Sequence, residues 1–185
     1  MFEARFHGRA GQGAKLAAQL LAESAMLEGM RIQAFPEYGP ERSGAPVASY
    51  VRLDKDEIRA HYPITSPDAI LVLDPTLLDA IDVDAGAKKD TIVIINSSKS
   101  TQELKLKYKL VGKIYAFDAS KIALETIGVN KPNTILLAFL LQLSKVVKID
   151  SLNQMVREIF ADKNKPELVE SNLAAVEKGY NYKAN

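Results

Sequence analysis

The chain opens with FEARFHGRAGQGAKLAAQLLAESAML, which spans Phe2–Leu27. Apolar and polar residues alternate from Phe2 to His7, and this period of two predicts a first β-strand. The glycine-rich turn GRAGQG follows, and from Ala14 to Leu27 leucines recur near a period of 3.6 residues, which predicts a helix. A strand, a glycine-rich turn and a helix in this order indicate the start of an α/β layered domain.

The remaining chain continues to alternate strands with helices. Two short runs, AILVL and TIVII, are apolar throughout, which is typical of central parallel strands covered on both faces. We predict one domain over residues 1–185, a three-layer α/β/α Rossmann-like domain with a mostly parallel sheet and C-terminal helices. Its further strands are expected at Arg31–Phe35, Val47–Leu53, Ala69–Leu73, Thr91–Ile95 and Lys113–Phe117, and its later helices at Pro132–Leu143, Leu152–Phe160 and Val169–Tyr180.

Composition narrows the class of protein. The chain has 185 residues, of which 47% are hydrophobic, so it can bury a core. Its 24 basic and 23 acidic residues give a net charge of +1, which argues against a nucleic-acid-binding protein. Without cysteine the chain cannot hold zinc or an iron–sulfur cluster through thiolates, and with two histidines alone no metal site is predicted.

Two features of the sequence argue against a membrane protein. Residues 1–7 lack the basic start and the long apolar run of a signal peptide. The longest apolar stretch, Ile135–Leu141, is far too short to span a bilayer. We therefore expect a cytoplasmic protein that contacts no membrane.

The glycine-rich turn, residues 8–13, is called loop 1. Glycines let backbone N–H groups approach a ligand closely, and the following helix adds a partial positive charge at its start, so loop 1 suits an anion. The glycine spacing differs from that of the dinucleotide fingerprint, and no Gly-Lys-Ser/Thr follows as in a phosphate-binding P-loop. The alternative is a tight turn without a ligand. The candidate ligand or interface residues are Gly8, Arg9, Gly11, Gln12 and Gly13.

A second rigid segment, residues 36–46, is called loop 2. Its three prolines and two glycines restrict the backbone, which reduces the entropy lost on binding. Because ligand sites of parallel sheets lie at the carboxyl ends of strands, loop 1, loop 2 and Asp74 should share one edge of the sheet. The alternative is an ordered surface crossover whose charges face solvent. The candidate residues are Tyr38, Gly39, Pro40, Glu41, Arg42 and Gly44.

Five segments carry a resemblance to a known family. HGRAGQGAKLAAQLLAESA and QAFPEYGPERSGAPVASYVRLD closely resemble the gamma subunit of pyruvate and related 2-oxoacid:ferredoxin oxidoreductases. The segment PDAILVLDPTLL resembles the third block of that family, and residues 130–143 and 166–179 resemble two of its later helices. The resemblance therefore covers nearly the whole chain, in the right order.

The resemblance implies a role inside a larger enzyme. Such complexes use thiamine diphosphate, magnesium, [4Fe–4S] clusters and coenzyme A to convert a 2-oxoacid to an acyl-CoA, and they reduce ferredoxin or flavodoxin. It implies alpha, beta and delta subunits as partners, no cofactor bound by this chain alone, and no activity of the isolated chain. It also implies that loops 1 and 2 face the thiamine site and the path of coenzyme A.

The substrate is expected to be pyruvate. The sequence SGAP at residues 43–46 is more similar to the pyruvate and branched-chain types than to the 2-oxoglutarate type. The alternatives are 2-oxoisovalerate, 2-oxoglutarate or indolepyruvate. Two other functions stay open at this point: a stand-alone nucleotide-binding oxidoreductase, and a non-catalytic structural subunit whose loops only pack against partners.

Overall fold

A computed structural model describes residues 1–37, 44–60, 62–161 and 166–184. Six strands form one sheet in the spatial order β2-β3-β1-β4-β5-β6. They are β1 (Phe2–Arg9), β2 (Arg31–Glu37), β3 (Pro46–Asp54), β4 (Ala69–Val72), β5 (Ile92–Asn96) and β6 (Lys113–Phe117). Each lies within two residues of its predicted bounds, because the alternating and the continuously apolar patterns mark strands reliably.

The strand directions confirm the prediction of a mostly parallel sheet. β1, β4, β5 and β6 pair in parallel, whereas β3 pairs antiparallel with both β1 and β2. β2 therefore points the same way as β1, and β3 is the one reversed strand among those described. The connection from β2 to β3 is too short for the crossover that a parallel pair requires, so reversal is the geometry it permits.

The helices cover the two faces of the sheet unequally. The larger hydrophobic core contains residues of α1, α3, α4, α5 and α6, and the smaller core on the other face contains residues of α2 and a short 3-10 helix. This arrangement confirms the three layers and the C-terminal helices. The elements are α1 (Ala14–Leu27), the 3-10 helix (Pro75–Asp79), α2 (Thr101–Tyr108), α3 (Ala119–Thr126), α4 (Asn133–Ser144), α5 (Ile149–Ala161) and α6 (Pro166–Tyr180).

Close packing of α6 on α4 joins the C-terminal helices to the sheet. Gly179 lies so near α4 that a Cβ atom there would overlap the carbonyl oxygen of Ile135 and lie 2.9 Å from its Cα. α4 itself is buried over its first nine residues, from Asn133 to Leu141. In the described part of the chain, no helix combines the length and the apolar character needed to cross a membrane.

Candidate functional site

Loop 1, the end of loop 2 and Asp74 lie at one edge of the sheet. The strand register places His7 beside Ala48 on one side and beside Val72 on the other, and it places Ala48 beside Glu37. The carboxyl ends of β1, β2 and β4 are therefore level with one another. Loop 1 extends from the first of these ends and loop 2 from the second. Five predicted residues of loop 2, namely Tyr38, Gly39, Pro40, Glu41 and Arg42, lie outside the described residues.

Loop 1 is a tight turn closed on itself. The backbone N–H of Gln12 donates to the carbonyl oxygen of Arg9 at 3.0 Å, and the backbone N–H of Arg9 donates to Oε1 of Gln12 at 2.7 Å. Gly11 and Gly13 have φ angles of 91° and 89°, a region that side chains with a Cβ rarely adopt. The glycines at positions 11 and 13 thus have a conformational cause that holds with or without a ligand.

The side chains of Arg9 and Gln12 point back into the chain. Gln12 Nε2 donates to Oδ2 of Asp74 at 2.7 Å. Arg9 donates from one guanidinium nitrogen to Oγ1 of Thr76 at 2.7 Å, and its Nε lies 3.2 Å from Oδ2 of Asp74. Both side chains therefore fasten loop 1 to the segment that follows β4, instead of extending freely toward a ligand.

Asp74 organises this network, although the sequence pattern marked it only as the residue after a strand. Its Oδ1 accepts from the backbone N–H of Thr76 at 2.9 Å and from the hydroxyl of Thr76 at 2.6 Å, while its Oδ2 accepts from Gln12. Burial acts to raise the pKa of Asp74, but the hydrogen bonds from Thr76 and Gln12 and the charge of Arg9 together lower it. The carboxylate is therefore ionised at neutral pH.

The same network joins loop 1 to the end of loop 2. Arg9 donates from its other terminal nitrogen to the carbonyl oxygen of Gly44 at 2.9 Å. The backbone N–H of Ala10 donates to the carbonyl oxygen of Ala45 at 3.2 Å. The structure thus brings together all five predicted residues of loop 1 and Gly44, the one predicted residue of loop 2 that is described.

A polar crevice of about 310 Å³ lies beside this network at the carboxyl ends of β4, β5 and β6. Asn96 makes its base rigid, because its Nδ2 donates at 2.8 Å to both the Leu73 carbonyl and the Ser120 hydroxyl. Crevices at this edge are the usual ligand sites of open α/β sheets. Sequence patterns missed these residues, although the polar run NSSKS begins at the last residue of β5 and indicates a polar strand end. The crevice is lined by Asn96, Ser97, Ser98, Asp118, Ser120 and Asn130.

A larger groove of about 820 Å³ continues from the crevice through Ser97, Ser98 and Asp118. Three lysines line it: Lys99, Lys105 and Lys121. Hydroxyl groups near β5 and lysines farther out give this part of the edge a positive, hydrogen-bonding surface. Such a surface suits an extended anionic ligand.

Near the same edge, Glu37 and Tyr50 are hydrogen-bonded to each other and His7 is buried. The Glu37 carboxylate accepts a short hydrogen bond from the Tyr50 hydroxyl, and burial together with this bond raises the pKa of Tyr50 to about 12. His7 is 6% exposed, and burial and the nearby charge of Arg5 lower its pKa to about 4, against a smaller opposing effect of the Val83 backbone. Dinucleotide sites usually bind the ribose through an acid near the end of the second strand, which is where Glu37 lies, so its hydrogen bond with Tyr50 weighs against such a site.

The described residues offer no obvious metal site. Among them, no group of three or more His, Asp or Glu side chains could hold an ion. His7 makes no hydrogen bond to a described residue through either ring nitrogen. His61 lies outside the described residues.

The sequence as a whole is similar to one family and to named members of it. The pattern of the family "Pyruvate ferredoxin/flavodoxin oxidoreductase" matches residues 3–182. The chain is 46% identical over 181 residues to the "Pyruvate/ketoisovalerate oxidoreductases common subunit gamma" of Pyrococcus furiosus, covering 97% of this chain and 96% of the relative. It is 39% identical over 179 residues to "Pyruvate synthase subunit PorC" of Thermotoga maritima, covering 97% and 93%.

Solved structures show the same fold. The crystal structure of pyruvate oxidoreductase subunit PORC from Thermotoga maritima superposes with a TM-score of 0.86 at 37% identity, covering 100% of this chain and 97% of that one. A 2-oxoglutarate:ferredoxin oxidoreductase from Magnetococcus marinus superposes with a TM-score of 0.76 at 18% identity. The chain matches 30% of the length of the latter, so the same fold occurs there as part of a longer polypeptide.

Proposed function

The chain belongs to the pyruvate ferredoxin/flavodoxin oxidoreductase family as a gamma-type subunit, and we propose that the carboxyl edge of its sheet faces the partner chains that carry the chemistry. The complex would contain alpha, beta and delta subunits and would pass electrons to ferredoxin or flavodoxin. The single domain of residues 1–185 works in the cytoplasm. It contributes a surface to the enzyme and has no activity alone.

The observation that carries this proposal is the network of Arg9, Gln12 and Asp74. In this network the polar side chains of loop 1 form hydrogen bonds and an ion pair within the chain, and these contacts hold loop 1 and Gly44 in one position. The backbone of loop 1 is then presented as a rigid, preorganised surface, which lowers the entropic cost of meeting a partner. A subunit without a catalytic set of its own is suited to such a role.

The cofactors of the reaction would lie on the partner subunits. Thiamine diphosphate with magnesium would supply the cleavage of the 2-oxoacid, and [4Fe–4S] clusters would carry the electrons. The chain has no cysteine, so its own residues do not fit a thiolate-ligated cluster. The polar crevice and the lysine-lined groove instead suit a polar, anionic substrate such as coenzyme A.

We propose pyruvate as the substrate of the assembled enzyme. The Pyrococcus furiosus relative is named as a gamma subunit common to pyruvate and ketoisovalerate oxidoreductases. By this analogy, the choice between pyruvate and 2-oxoisovalerate would rest with other chains. A gamma subunit that presents a rigid edge to its partners is consistent with such sharing.

The experiment is to express the chain with its neighbouring genes and to compare two arginine variants in the purified complex. Arg42→Ala removes the guanidinium of loop 2, which is suited to pair with phosphate or carboxylate. Arg31→Ala is the matched control, since Arg31 is exposed and lies at the start of β2, at the opposite edge of the sheet. We expect both complexes to assemble, with slower acyl transfer to coenzyme A for Arg42→Ala alone.

Two results would contradict the proposal. The first is that the chain never enters a thiamine-containing complex. The second is unchanged turnover and unchanged coenzyme A dependence of the Arg42→Ala complex, which would favour a purely structural subunit.

A further inference from the structure

The two outermost strands of the sheet, β2 and β6, differ in how their free sides are covered. On β6, the backbone N–H of Ala116 donates to Oγ1 of Thr101 on α2 at 3.0 Å. On β2, no described segment other than β3 forms a backbone hydrogen bond with Arg31–Glu37. The outward N–H and C=O groups of β2 are therefore available to a further strand.

An apolar groove of about 190 Å³ runs beside this open strand, between β2 and α1. Helix α1 lies over β2 and β3, so the groove is located where the sheet ends. Ala34, at the centre of β2, is exposed and lines the groove. A strand added to β2 would place every second side chain over the groove. Its apolar lining residues are Ala18, Ala22, Ile32, Ala34, Phe35 and Pro36.

The sequence of β2 is self-complementary when two copies of the strand run antiparallel. The register centred on Ala34 pairs all seven residues of β2, and it places Arg31 opposite Glu37 of the second copy on the same face of the sheet. Both residues are exposed, and neither forms an ion pair with a described residue. The two-fold symmetry would form this charge pair twice, so the charges favour a second copy of this chain as the occupant.

The same symmetry brings opposite charges of α1 toward each other. Helix α1 runs from loop 1 toward the start of β2, so Lys15 lies near the carboxyl end of β2 and Glu23 near its start. Pairing of two β2 strands separates the two β3 strands by three strand spacings, about 14 Å. The two α1 helices would then face each other across the joined grooves, with each Lys15 directed toward Glu23 of the second copy.

We propose that β2 joins two copies of this chain into a dimer with one continuous sheet. Because a proline within a sheet directs its nitrogen away from the neighbouring strand, the outward backbone groups of β2 are those of Ile32, Ala34 and Pro36. The N–H of Ala34 would donate to the Ala34 carbonyl of the second copy, and the N–H of Ile32 to its Pro36 carbonyl. Since the contact uses the same surface of both copies, assembly closes at the dimer.

This inference goes beyond the proposed function. Loop 1 follows β1, and β3 separates β1 from β2, so the dimer contact and the surface offered to other subunits are different parts of the sheet. The dimer would join two copies of the assembled oxidoreductase.

The test is sedimentation equilibrium of the purified chain over a series of concentrations. Arg31→Glu should raise the dissociation constant of the dimer about tenfold, because it makes two exposed ion pairs repulsive. Arg31→Ala removes the attraction without adding repulsion, so its effect should be smaller. The double variant Arg31→Glu/Glu37→Arg restores opposite charges and should recover the dimer. Lys89→Glu is the matched control, because Lys89 is exposed, precedes β5 and gives the same change in net charge, and it should leave the dissociation constant unchanged.

Hydrogen exchange provides a check that does not depend on charge. The backbone amides of Ile32 and Ala34 should exchange more slowly as the concentration of the chain rises. Protection of these amides only within the oxidoreductase complex, with the isolated chain monomeric, would show that a strand of another subunit covers β2 and would overturn the dimer.

Three other results would also overturn the inference. The first is a chain that stays monomeric up to about 1 mM, which corresponds to a negligible affinity. The second is a double variant that does not recover the dimer, and the third is equal weakening by Lys89→Glu. Because the isolated chain is used, each of these results is separate from a failure of the chain to join an oxidoreductase complex.

Discussion

At the scale of single residues, Asp74 determines how loop 1 is held. Its two carboxylate oxygens accept from Thr76 and Gln12 and lie beside the charge of Arg9. The sequence patterns located loop 1 correctly, because its glycines follow a strand and precede a helix. They could not locate its anchor, because Gln12 and Asp74 are 62 residues apart and meet only when β1 pairs with β4.

Replacing the anchor should loosen loop 1 without unfolding the chain. Asp74→Asn keeps the shape of the side chain but loses the charge, and it replaces one acceptor oxygen with an NH2 donor that faces a donor of Gln12 or Thr76. We expect the free energy of unfolding to fall by about 1–3 kcal/mol, as for lost hydrogen bonds to a charged group. Chemical denaturation at pH 7 measures this. Asp90→Asn is the control, since the Asp90 side chain is 92% exposed and should cost under about 0.5 kcal/mol.

The pH dependence of this effect follows from the lowered pKa of Asp74. A carboxyl group whose pKa is lower in the folded chain contributes stability above its ordinary value of 3.8, and this contribution is lost as the pH falls through the folded value. The difference between wild type and Asp74→Asn should therefore shrink at acidic pH. An undiminished difference would mean that the charge of Asp74 does not contribute to stability.

His7 predicts a second pH dependence, in a different window. Its pKa falls from 6.5 to about 4 on folding, so between these values the unfolded chain binds a proton that the folded chain does not. The free energy of unfolding should therefore decrease as the pH drops through this window, by up to about 3 kcal/mol. In His7→Gln this part of the slope should vanish. Equal slopes in denaturation series of the two proteins would contradict the assignment.

At the scale of elements, the sequence predicted the strands and the long helices but missed α2 and α3. Both are eight residues long and carry little apolar surface: α2 buries Leu104, and α3 buries Ala119 and Ala123. Hydrophobic periodicity therefore gives almost no indication of them. The capping box of Ser100 and Glu103 was a readable sign of α2, because it marks a helix start by hydrogen bonding instead of by burial.

The contact between α4 and α6 predicts an unusual effect of alanine in a helix. Gly179→Ala should destabilise the chain by about 1–3 kcal/mol, because its Cβ atom would overlap the backbone of Ile135 and force the helices apart. At an open helical site the same exchange stabilises by up to about 1 kcal/mol, so the sign of the change is diagnostic. Thermal denaturation beside Glu177→Ala, an exposed neighbour, measures it. A more stable Gly179→Ala chain would show that the helices do not pack as described.

At the scale of the whole molecule, the two faces and the two edges of the sheet have different roles. One face holds the five helices α1, α3, α4, α5 and α6 and the larger core, which stabilises the chain, whereas the carboxyl edge gathers loop 1, the end of loop 2 and the polar crevice. The sequence predicted that these loops share one edge, because each follows a strand and because the segments resemble those of a known family in the same order. The reversed direction of β3 was not predicted, because alternation shows that a strand exists but not which way it runs.

The most direct test is hydrogen–deuterium exchange of the isolated chain and of the chain within the purified oxidoreductase complex. If the carboxyl edge faces the partner subunits, amides of residues 8–16 and 44–45 should exchange more slowly in the complex, while the outer surface of α5 should not change. Protection confined to α5 and α6, with loop 1 exchanging at the same rate in both states, would contradict the account.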